Sequence, residues 1–380
     1  MKITVKRDAF RDAWKFVSKA VPARAPKPIL QNVRLFAGRD SYMIGTDLMC
    51  SLRADIANCI EVVTPGDVLI PAARFGQILD DCRDETMTLE VKGDKLIVTG
   101  NRSKFTLPTE SANDFPNPSF DCTGGKATTL GRAFASAIAR TTFACDDEAS
   151  RYELGGVLIE PGEPGEKLVR FVATNGRQMV SQEVPVEQEG WSTTEFVIAP
   201  EANLRVVRSL CEAEDGMVEF WADASNLYVE TSKAVASVRL LEGRFPSRKR
   251  AMVRAAGGIE IEVPVSHLLA CVKQASVVCD REESRGIEWT AEDGTLRFSS
   301  VSAFAGESLV EMPIGVHGSA GVRLDFRYSV GHLSTLSGVE SVRVQLVDEN
   351  KPAYFSTSDG NAYVLMPMCD RKAESNGGAK

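Results

Sequence analysis

Apolar side chains recur every three to four residues in six stretches of the chain, and this spacing predicts an amphipathic helix in each. In the first stretch Phe10, Trp14 and Val17 fall on one face. Pro71 and Pro200 stand just before two others, where a helix has no partner for the N–H that proline lacks. The predicted helices cover residues 7–19, 72–82, 129–143, 201–211, 266–278 and 325–336.

Runs of alternating apolar and polar residues lie between the helices and predict strands. Near the N-terminus these runs are residues 3–5, 33–36, 41–44 and 52–56. Residues 86–91 and 96–98 predict a β-hairpin that turns at Gly93 and Asp94. The proline-rich stretch from Val21 to Leu30 predicts a loop, because proline cannot continue a helix.

The same order of elements occurs three times along the 380 residues. Segments that begin at Val68, Phe196 and Val322 each contain a helix, a charged hairpin and a further β-rich run. The first two end in Phe-Pro, at 115–116 and 245–246, and the third has Pro367 near that place. Copies at a spacing of roughly 125 residues are typical of tandem domains.

The repeat predicts an α+β fold of three tandem domains, each with two helices packed on antiparallel sheets. Stretches of small residues at 122–125 and 255–258 are the predicted linkers. The last ten residues lack large apolar side chains, and a disordered tail is expected there. The predicted boundaries are 1–122, 126–250 and 257–370 for the domains and 371–380 for the tail.

The formal net charge is −8, with 44 basic and 52 acidic side chains. This charge is unevenly distributed, because the six predicted helices carry +5 and the rest of the chain therefore −13. Affinity for nucleic acid is supplied by Lys and Arg that meet phosphates. Any contact with nucleic acid is therefore expected from the helices, provided that they share one face of the protein.

The cysteines and the apolar runs predict a cytoplasmic protein. The nine cysteines form no C-x-x-C pair and lie mostly in apolar runs, which indicates reduced core thiols rather than a disulfide framework or a zinc site. No apolar run approaches the roughly 20 residues of a membrane-spanning helix. No apolar signal-peptide region follows Met1.

The chain offers no constellation of catalytic residues. His267, His317 and His332 form no metal-binding pattern and are predicted to lie on helix surfaces or in loops. Residues 124–127 imitate the end of a phosphate-binding loop but lack its first glycine and its Ser or Thr, so they indicate a linker. The acidic residues 146–148 indicate a solvated loop rather than a cation site. We therefore expect no enzymatic activity, no metal and no cofactor.

Several short strings, in order along the chain to about Met368, resemble the bacterial β sliding clamp, the processivity subunit of the replicative DNA polymerase. No single string is decisive, and the resemblance depends on their order and spacing in a triplicated chain. They are Lys-Pro-Ile-Leu-Gln-Asn at 27–32, Gly-Thr-Asp-Leu at 45–48, Ile-Pro-Ala at 70–72 with Phe75, Ser103 to Leu107, Asp-Phe-Pro at 114–116, Arg-Tyr-Glu-Leu-Gly-Gly at 151–156, Thr-Asn-Gly at 174–176, Gly-Arg-Phe-Pro at 243–246, Arg-Gly at 285–286 and Tyr-Val-Leu-Met-Pro-Met at 363–368.

The resemblance implies three clamp (processivity-fold) domains per chain and a head-to-tail homodimer that closes as a ring, with helices lining the hole. Such a ring encircles duplex DNA and tethers replicative and repair polymerases, and it also binds the clamp loader. A sliding ring needs sequence-independent attraction to phosphates. The family's DNA contacts map onto Arg24, Arg151 and Tyr152, and the predicted helices and the proline-rich loop add Lys27, Arg74, Arg132, Arg140, Arg205 and Arg208. Each of the added residues is equally expected to be a solvated side chain without a role in DNA binding.

The resemblance also implies a pocket that accepts short linear motifs from partner proteins. Methionine adapts to several ligands, which suits a site with many partners. For the last strand, packing in the core is the alternative. Of the two Phe-Pro boundaries, only the one at 245–246 is therefore expected to be functional. The pocket maps onto Leu154, Thr174, Gly176, Met179, Pro246, Arg250, Tyr328, Val364, Met366, Pro367 and Met368.

Dimer contacts map onto Phe105 and Leu107 of one chain and Val277 and Val278 of the other, although these side chains suit an internal core equally well. The chain departs from the family pattern at residues 174–179, at Ser284, at 201–202 and after Met368. These differences affect the expected partner affinity more than the fold. A diverged paralogue, or a triplicated protein-binding scaffold that does not encircle DNA, is the alternative.

Overall fold

The six predicted helices all form, within a few residues of their predicted bounds. The computed structural model describes residues 1–121, 125–146, 152–189, 195–198, 201–280, 285–316 and 318–368. A short helix, α5, follows the second Phe-Pro and was not predicted. The helices are α1 (Arg7–Val17), α2 (Ala72–Asp81), α3 (Gly131–Thr141), α4 (Glu201–Glu212), α5 (Arg248–Ala251), α6 (Val265–Ala275) and α7 (Phe326–Thr335).

The strands predicted from alternating residues also form, including the hairpin that turns at Gly93. The first part of the chain holds β1 (Lys2–Lys6), β2 (Asn32–Ala37), β3 (Tyr42–Thr46), β4 (Cys50–Asp55), β5 (Ile60–Thr64), β6 (Gly66–Pro71), β7 (Thr86–Lys92), β8 (Lys95–Thr99) and β9 (Lys104–Pro108). The middle part holds β10 (Lys126–Leu130), β11 (Val157–Pro161), β12 (Leu168–Thr174), β13 (Gln178–Pro185), β14 (Glu187–Glu189), β15 (Phe196–Ile198), β16 (Met217–Ala222), β17 (Asn226–Glu230) and β18 (Ala234–Leu241). The last part holds β19 (Ile259–Pro264), β20 (Gly286–Glu292), β21 (Thr295–Ser302), β22 (Gly306–Pro313), β23 (Ala320–Asp325), β24 (Ser341–Leu346), β25 (Ala353–Ser356) and β26 (Asn361–Leu365).

The repeat is visible in local structure. Each third of the chain begins with a strand (β1, β10 or β19) that leads directly into a helix (α1, α3 or α6). A single 3-10 turn continues each of these helices, at Ser18–Ala20, Thr142–Ala144 and Ser276–Val278. The prediction of a linker through residue 127 was wrong, because Lys126 already belongs to β10. That strand pairs with β14 and β16, which lie far along the chain.

The described residues divide into two structural units. Unit 1 comprises residues 1–135, 186–193 and 198–241. Its first sheet has the order β5-β1-β7-β8-β9. Its second sheet has the order β14-β10-β16-β17-β18-β4-β3-β2-β6, all antiparallel. The β4–β18 pairing joins strands from the first and second repeats.

Unit 2 comprises residues 136–185, 194–197 and 242–380. One of its sheets has the order β11-β12-β13-β26-β25-β24-β19. The other has the order β22-β21-β20-β23. The β13–β26 pairing joins the second and third repeats, as the β4–β18 pairing joins the first and second.

Aromatic side chains fill the space between helices and sheets. In unit 1 the rings of Trp14 and Phe75 meet edge to face at 4.6 Å, and Trp14 Nε1 donates to the carbonyl of Ala72 at 3.2 Å. In unit 2 Trp289 lies edge to face with Phe298 at 4.8 Å. Burying one such side chain contributes about 2–3 kcal/mol to stability.

The seven described cysteines are free thiols, and five of them are buried, as predicted for core residues. Burial raises the pKa of Cys50 and Cys211 to about 12, so both stay protonated at neutral pH. Cys122 and Cys369 lie outside the described residues. No described helix is long and apolar enough to cross a membrane.

Candidate functional site

The turn between β12 and β13 is held by side chains that bond to its own backbone. Thr174 Oγ1 accepts from the N–H of Gly176 at 3.1 Å and donates to the carbonyl of Gln178 at 2.6 Å. Asn175 Oδ1 accepts from the N–H of Arg177 and of Gln178, at 3.1 and 3.2 Å. Gly176 has a φ of 82°, a left-handed conformation that glycine adopts without strain. The turn therefore fixes the register at which β13 begins.

That register gathers apolar side chains at one end of the sheet. Met179 pairs across the ladders with Thr174 on one side and Val364 on the other. Beyond the end of β26, the N–H of Met366 donates to the carbonyl of Arg177 at 3.0 Å. Met179 and Val364 are buried, whereas the side chain of Met366 is 48% exposed. At this end of the sheet the side chain of Met366 is thus exposed to solvent beside the buried apolar side chains of Met179 and Val364.

The chain after Met366 is also tied down. The N–H of Met368 donates to the carbonyl of Arg323 on β23 at 2.8 Å, and Pro367 and Met368 are half-buried. Tyr328 on α7 is half-buried as well. Residues 369–380, which include the predicted tail, lie outside the described residues.

The short helix α5 places basic side chains beside this part of unit 2. Phe245 is buried and anchors the segment, while Pro246 and Arg250 are exposed. Arg248 donates a hydrogen bond to the carboxylate of Glu160 on β11. The segment that follows Phe-Pro is therefore fixed against the sheet that carries the β12–β13 turn.

The structure thus brings five predicted pocket residues together at one sheet end and places the others on further elements of unit 2. Leu154 is buried, and its carbonyl accepts from the N–H of Asp146 at 2.8 Å. The residues brought together are Thr174, Gly176, Met179, Val364 and Met366. The other six are Leu154, Pro246, Arg250 and Tyr328, and Pro367 and Met368 in the segment that follows Met366.

A polar network lies between β13, β26 and α7. His332 is fully buried, so the prediction that it lies on a surface was wrong. A hydrogen bond of 2.9 Å joins its Nε2 to Asn361 Oδ1. Its ring also stacks on that of Tyr363, with 4.0 Å between the ring centroids. Asn361 Nδ2 in turn donates to Gln182 Oε1 at 3.2 Å. Burial lowers the pKa of His332, and the charge of Arg140 adds a smaller effect in the same direction. The hydrogen bond with Asn361 opposes them only in part, so the resulting pKa is about 4.

Arg140, a predicted DNA contact, belongs to this network. Its Nη1 donates to Gln182 Oε1 at 3.1 Å and forms an ion pair with Asp359 Oδ2 at 2.6 Å. Burial alone would raise the pKa of Asp359, but hydrogen bonds from Thr357 and Arg140 lower it. The guanidinium of Arg140 therefore has a structural partner within unit 2.

In unit 1 a groove lies between α1, α2 and the proline-rich loop. Lys15, Lys19 and Arg74 line it, together with the acidic Asp80 and Glu110. Lys15 forms an ion pair with Asp80 at 2.5 Å. The predicted contacts Arg24 and Lys27 are exposed in the loop beside the groove. Exposed basic side chains therefore cluster here.

A hydrogen bond in unit 1 joins the turn after α1 to a helix of the second repeat. Lys19 Nζ, just after α1, donates a hydrogen bond to Ser209 Oγ of α4. Arg205 on α4 and Arg132 on α3 are exposed, and Arg208 forms an ion pair with Glu212 at 2.7 Å. Arg151 lies outside the described residues, and of Tyr152 only the backbone is described, in a 3-10 turn.

The predicted dimer residues lie at sheet edges or beside them. Phe105 on β9 is 37% exposed, while Leu107 faces the core. Val277 is 79% exposed and Val278 is half-buried, in the turn after α6. The hydroxyls of Ser300 and Ser308 on β21 and β22 donate to the carbonyl of Ala275, at 2.7 and 2.8 Å, which holds that turn beside the hairpin.

Sequence reasoning missed three exposed apolar residues on this hairpin: Val301, Phe304 and Leu309. They accompany Val277 at the β22 edge of its sheet. The available signal was Leu309, which shares the outward face of its strand with Glu307 and Glu311, because an outward-facing leucine on an edge strand suggests pairing with another chain. Among the described residues, no cluster of three or more His, Cys, Asp or Glu side chains could hold a metal ion.

Comparison with known proteins shows the family to which the chain belongs. Residues 1–119 match the family model for the N-terminal domain of the DNA polymerase III beta subunit, and residues 130–247 match that for its central domain. The chain is 28% identical to the beta sliding clamp of Pseudomonas putida, over 97% of this chain and 100% of that protein.

Solved structures give the same result. The crystal structure of the DNA polymerase III beta subunit of Pseudomonas aeruginosa superimposes with a TM-score of 0.88 at 25% identity, covering 97% of this chain and 100% of that one. A sliding clamp of the same organism bound to griselimycin has a TM-score of 0.87, at the same identity and coverage. With two domain models that together match more than half of its residues, the chain belongs to the family of DNA polymerase III beta subunits, the beta sliding clamps.

Proposed function

We propose that two copies of this chain close head to tail into a ring around duplex DNA, and that the ring tethers polymerases through the pocket of unit 2. Each chain contributes three similar domains, at 1–122, 126–250 and 257–370. The chain acts as a non-catalytic accessory subunit in the cytoplasm. Family membership supports this function, and the repeated strand–helix–3-10 order supports the three domains.

Weak contacts with phosphates let a ring slide, and the basic groove of unit 1 is suited to making them. Arg24, Lys27 and Arg74 carry exposed charges beside or within this groove. Arg132 and Arg205 add exposed charges on α3 and α4. Arg140 is the weakest candidate, because its charge is paired with Asp359 and its side chain is only 11% exposed, whereas the paired Arg208 is 45% exposed.

The observation that carries the partner pocket is the apolar sheet end at Met179, Val364 and Met366. A half-exposed methionine over a buried apolar floor can adapt to different apolar side chains. Clamp loader subunits and repair proteins would use the same pocket through short linear motifs. The Pseudomonas aeruginosa clamp, which shares this fold, is solved with griselimycin bound, so a clamp of this family does take a ligand.

A fluorescent peptide that carries a clamp-binding motif tests the pocket. We expect a Kd on the micromolar order for the wild type, and binding about tenfold weaker for Met366→Ala because an exposed apolar contact is lost. Met217 on β16 is a similarly exposed methionine in unit 1, so Met217→Ala is the matched control and should bind as the wild type does. Failure of the wild type to bind, or equal weakening in both variants, would remove the assignment.

A further inference from the structure

A cavity of about 510 Å³ opens in unit 1 at the turn between β3 and β4, beside β18. Leu48 and Met49 of the turn form one side of its lining. Pro118 and Asp121 contribute from the segment after the first Phe-Pro, and Tyr228 from β17. The cavity therefore lies at the boundary of the first two repeats, where no functional site was expected.

The turn beside this cavity has the same hydrogen bonds as the turn at the pocket of unit 2. Thr46 Oγ1 accepts from the N–H of Leu48 at 3.0 Å and bonds to the carbonyl of Cys50 at 3.1 Å. Asp47 Oδ1 accepts from the N–H of Met49 and of Cys50, at 2.8 and 2.6 Å. Residues 46–50 thus reproduce, bond for bond, the arrangement of residues 174–178.

The strand pairing repeats as well. Cys50 of β4 pairs with Val238 of β18, and the N–H of Arg239 then donates to the carbonyl of Met49 at 2.9 Å. In unit 2 the corresponding pair is Gln178 with Leu365, followed by the bond from Met366 to Arg177. The chain therefore forms this combination of turn and strand pairing, here called the frame, twice. The cavity of unit 1 lies at the position that corresponds to the pocket of unit 2.

Leu48 is unusual in this frame. Its φ is 79°, and the corresponding residue of the second frame is Gly176 with a φ of 82°. A residue with a side chain is disfavoured in this left-handed region, and its side chain is also 48% exposed. Leu48 therefore combines a disfavoured backbone conformation with a half-exposed apolar side chain, and backbone outliers of this kind cluster at ligand sites.

The opposite walls are fixed and acidic. Tyr228 is buried, and its hydroxyl donates to Asp223 Oδ2 at 2.8 Å. Asp223 Oδ1 accepts from the N–H of Ser225 and of Asn226, both at 2.7 Å. Burial would raise the pKa of Asp223, but these bonds lower it, so the carboxylate is ionised at neutral pH.

The segment after the first Phe-Pro completes the cavity. Phe115 is buried against Ile44 and Leu69, and Phe120 packs on the same cluster. This holds the exposed carboxylate of Asp121 at the cavity mouth, with Ser119 Oγ bonded to it at 3.1 Å. Among the described lining residues, Asp121 and Asp223 carry the only charges. The corresponding segment of unit 2, residues 248–250, is Arg-Lys-Arg.

We propose that this cavity is a second docking site, which takes a short partner segment that carries a large apolar side chain next to Lys or Arg. The apolar side chain packs on Leu48 and Met49, and the cation approaches Asp121 and Asp223. The reversed charge relative to the pocket of unit 2 makes the two sites select different partners. The proposal does not require the pocket of unit 2 to bind anything.

Fluorescence polarisation on the full chain with the labelled hexapeptide Ser-Arg-Leu-Phe-Arg-Gly tests this site. We expect saturable binding that weakens at least tenfold when both arginines of the peptide are replaced by glutamate. Leu48→Gly should weaken binding at least fivefold while leaving the Tm unchanged or higher, because glycine fits a φ of 79°. Asp121→Asn should weaken binding two- to fivefold.

Met366→Ala separates this site from the pocket of unit 2 and should leave binding of the hexapeptide unchanged. The proposal is overturned if the wild type does not bind the hexapeptide, if both peptides bind equally, or if Leu48→Gly binds as tightly as the wild type. Loss of binding in Met366→Ala with retention in Leu48→Gly would also overturn it, since the peptide would then occupy the pocket of unit 2.

Discussion

At the scale of single residues, His332 shows how a polar side chain becomes part of a core. Its ring stacks on Tyr363 and its Nε2 bonds to Asn361, so packing and one hydrogen bond offset part of the loss of water, while its buried Nδ1 has no hydrogen-bond partner among the described residues. Its pKa of about 4 means that the imidazole is neutral at physiological pH. Protonation would place a charge beside the guanidinium of Arg140, which already lowers that pKa.

The stability of the protein should therefore fall as the pH falls from 6.5 to 4. In that pH window His332 binds a proton in the unfolded state but not in the folded state. Proton binding therefore stabilises the unfolded state relative to the folded one. The total loss due to His332 is about 3 kcal/mol. Urea midpoints measured between pH 7 and 4.5 should decline less steeply for His332→Gln, which cannot titrate there. Parallel declines in the two proteins would contradict the assignment.

Sequence reasoning failed at His332 because α7 is only weakly patterned. Its buried face consists of Ser329, His332 and Leu333, and two polar residues out of three do not indicate a core. The partner Asn361 comes 29 residues later, on β26. The pocket residues were named from the resemblance, since a run such as Val364 to Met368 reads equally well as a core strand.

At the scale of elements, the long helices could be predicted because apolar residues recur at helical spacing over ten or more residues, although this pattern is weak in α7. The four residues of α5 are too few to show a period, and their three basic side chains indicate a loop. Strand β10 was missed because Lys126–Leu130 follows a glycine pair and because its last two residues were assigned to the helix predicted at 129–143. Its pairing with β14 and β16 depends on residues far along the chain.

Two of the edge strands among the described sheets are candidates for the contact between copies. β9 ends one sheet of unit 1 and carries Phe105, and β22 ends one sheet of unit 2 and carries Leu309. An edge strand with outward apolar side chains is a template for pairing with another chain. A contact between β9 of one copy and β22 of the next is heterologous, and two such contacts can close a ring.

Phe105→Lys and Leu309→Lys, each on its own, should therefore convert a dimer into a monomer, because a charge at the edge opposes pairing. Light scattering should give about twice 41.3 kDa for the wild type and 41.3 kDa for either variant. Val63 is also exposed, on β5 at the opposite edge of the sheet that holds β9. Val63→Lys is the control and should remain dimeric. A dimer that survives Phe105→Lys would exclude this edge.

At the scale of the whole molecule, the distribution of charge is what would let an acidic protein hold DNA as proposed. The net charge of −8 repels phosphate, while exposed basic side chains gather on α1, α2 and the loop that contains Arg24. Phosphate contacts of this kind are sequence-independent and depend on salt. Retention on DNA should then come from closure of the ring rather than from tight contacts.

Retention on DNA of different topology tests this claim most directly. The protein is loaded by a clamp loader onto nicked circular DNA, washed at moderate salt and measured before and after the circle is linearised. We expect stable retention on the circle and rapid loss from the linear form, because only a closed ring is topologically linked. Equal retention on both forms, or none on the circle, would contradict the account and favour a scaffold that does not encircle DNA.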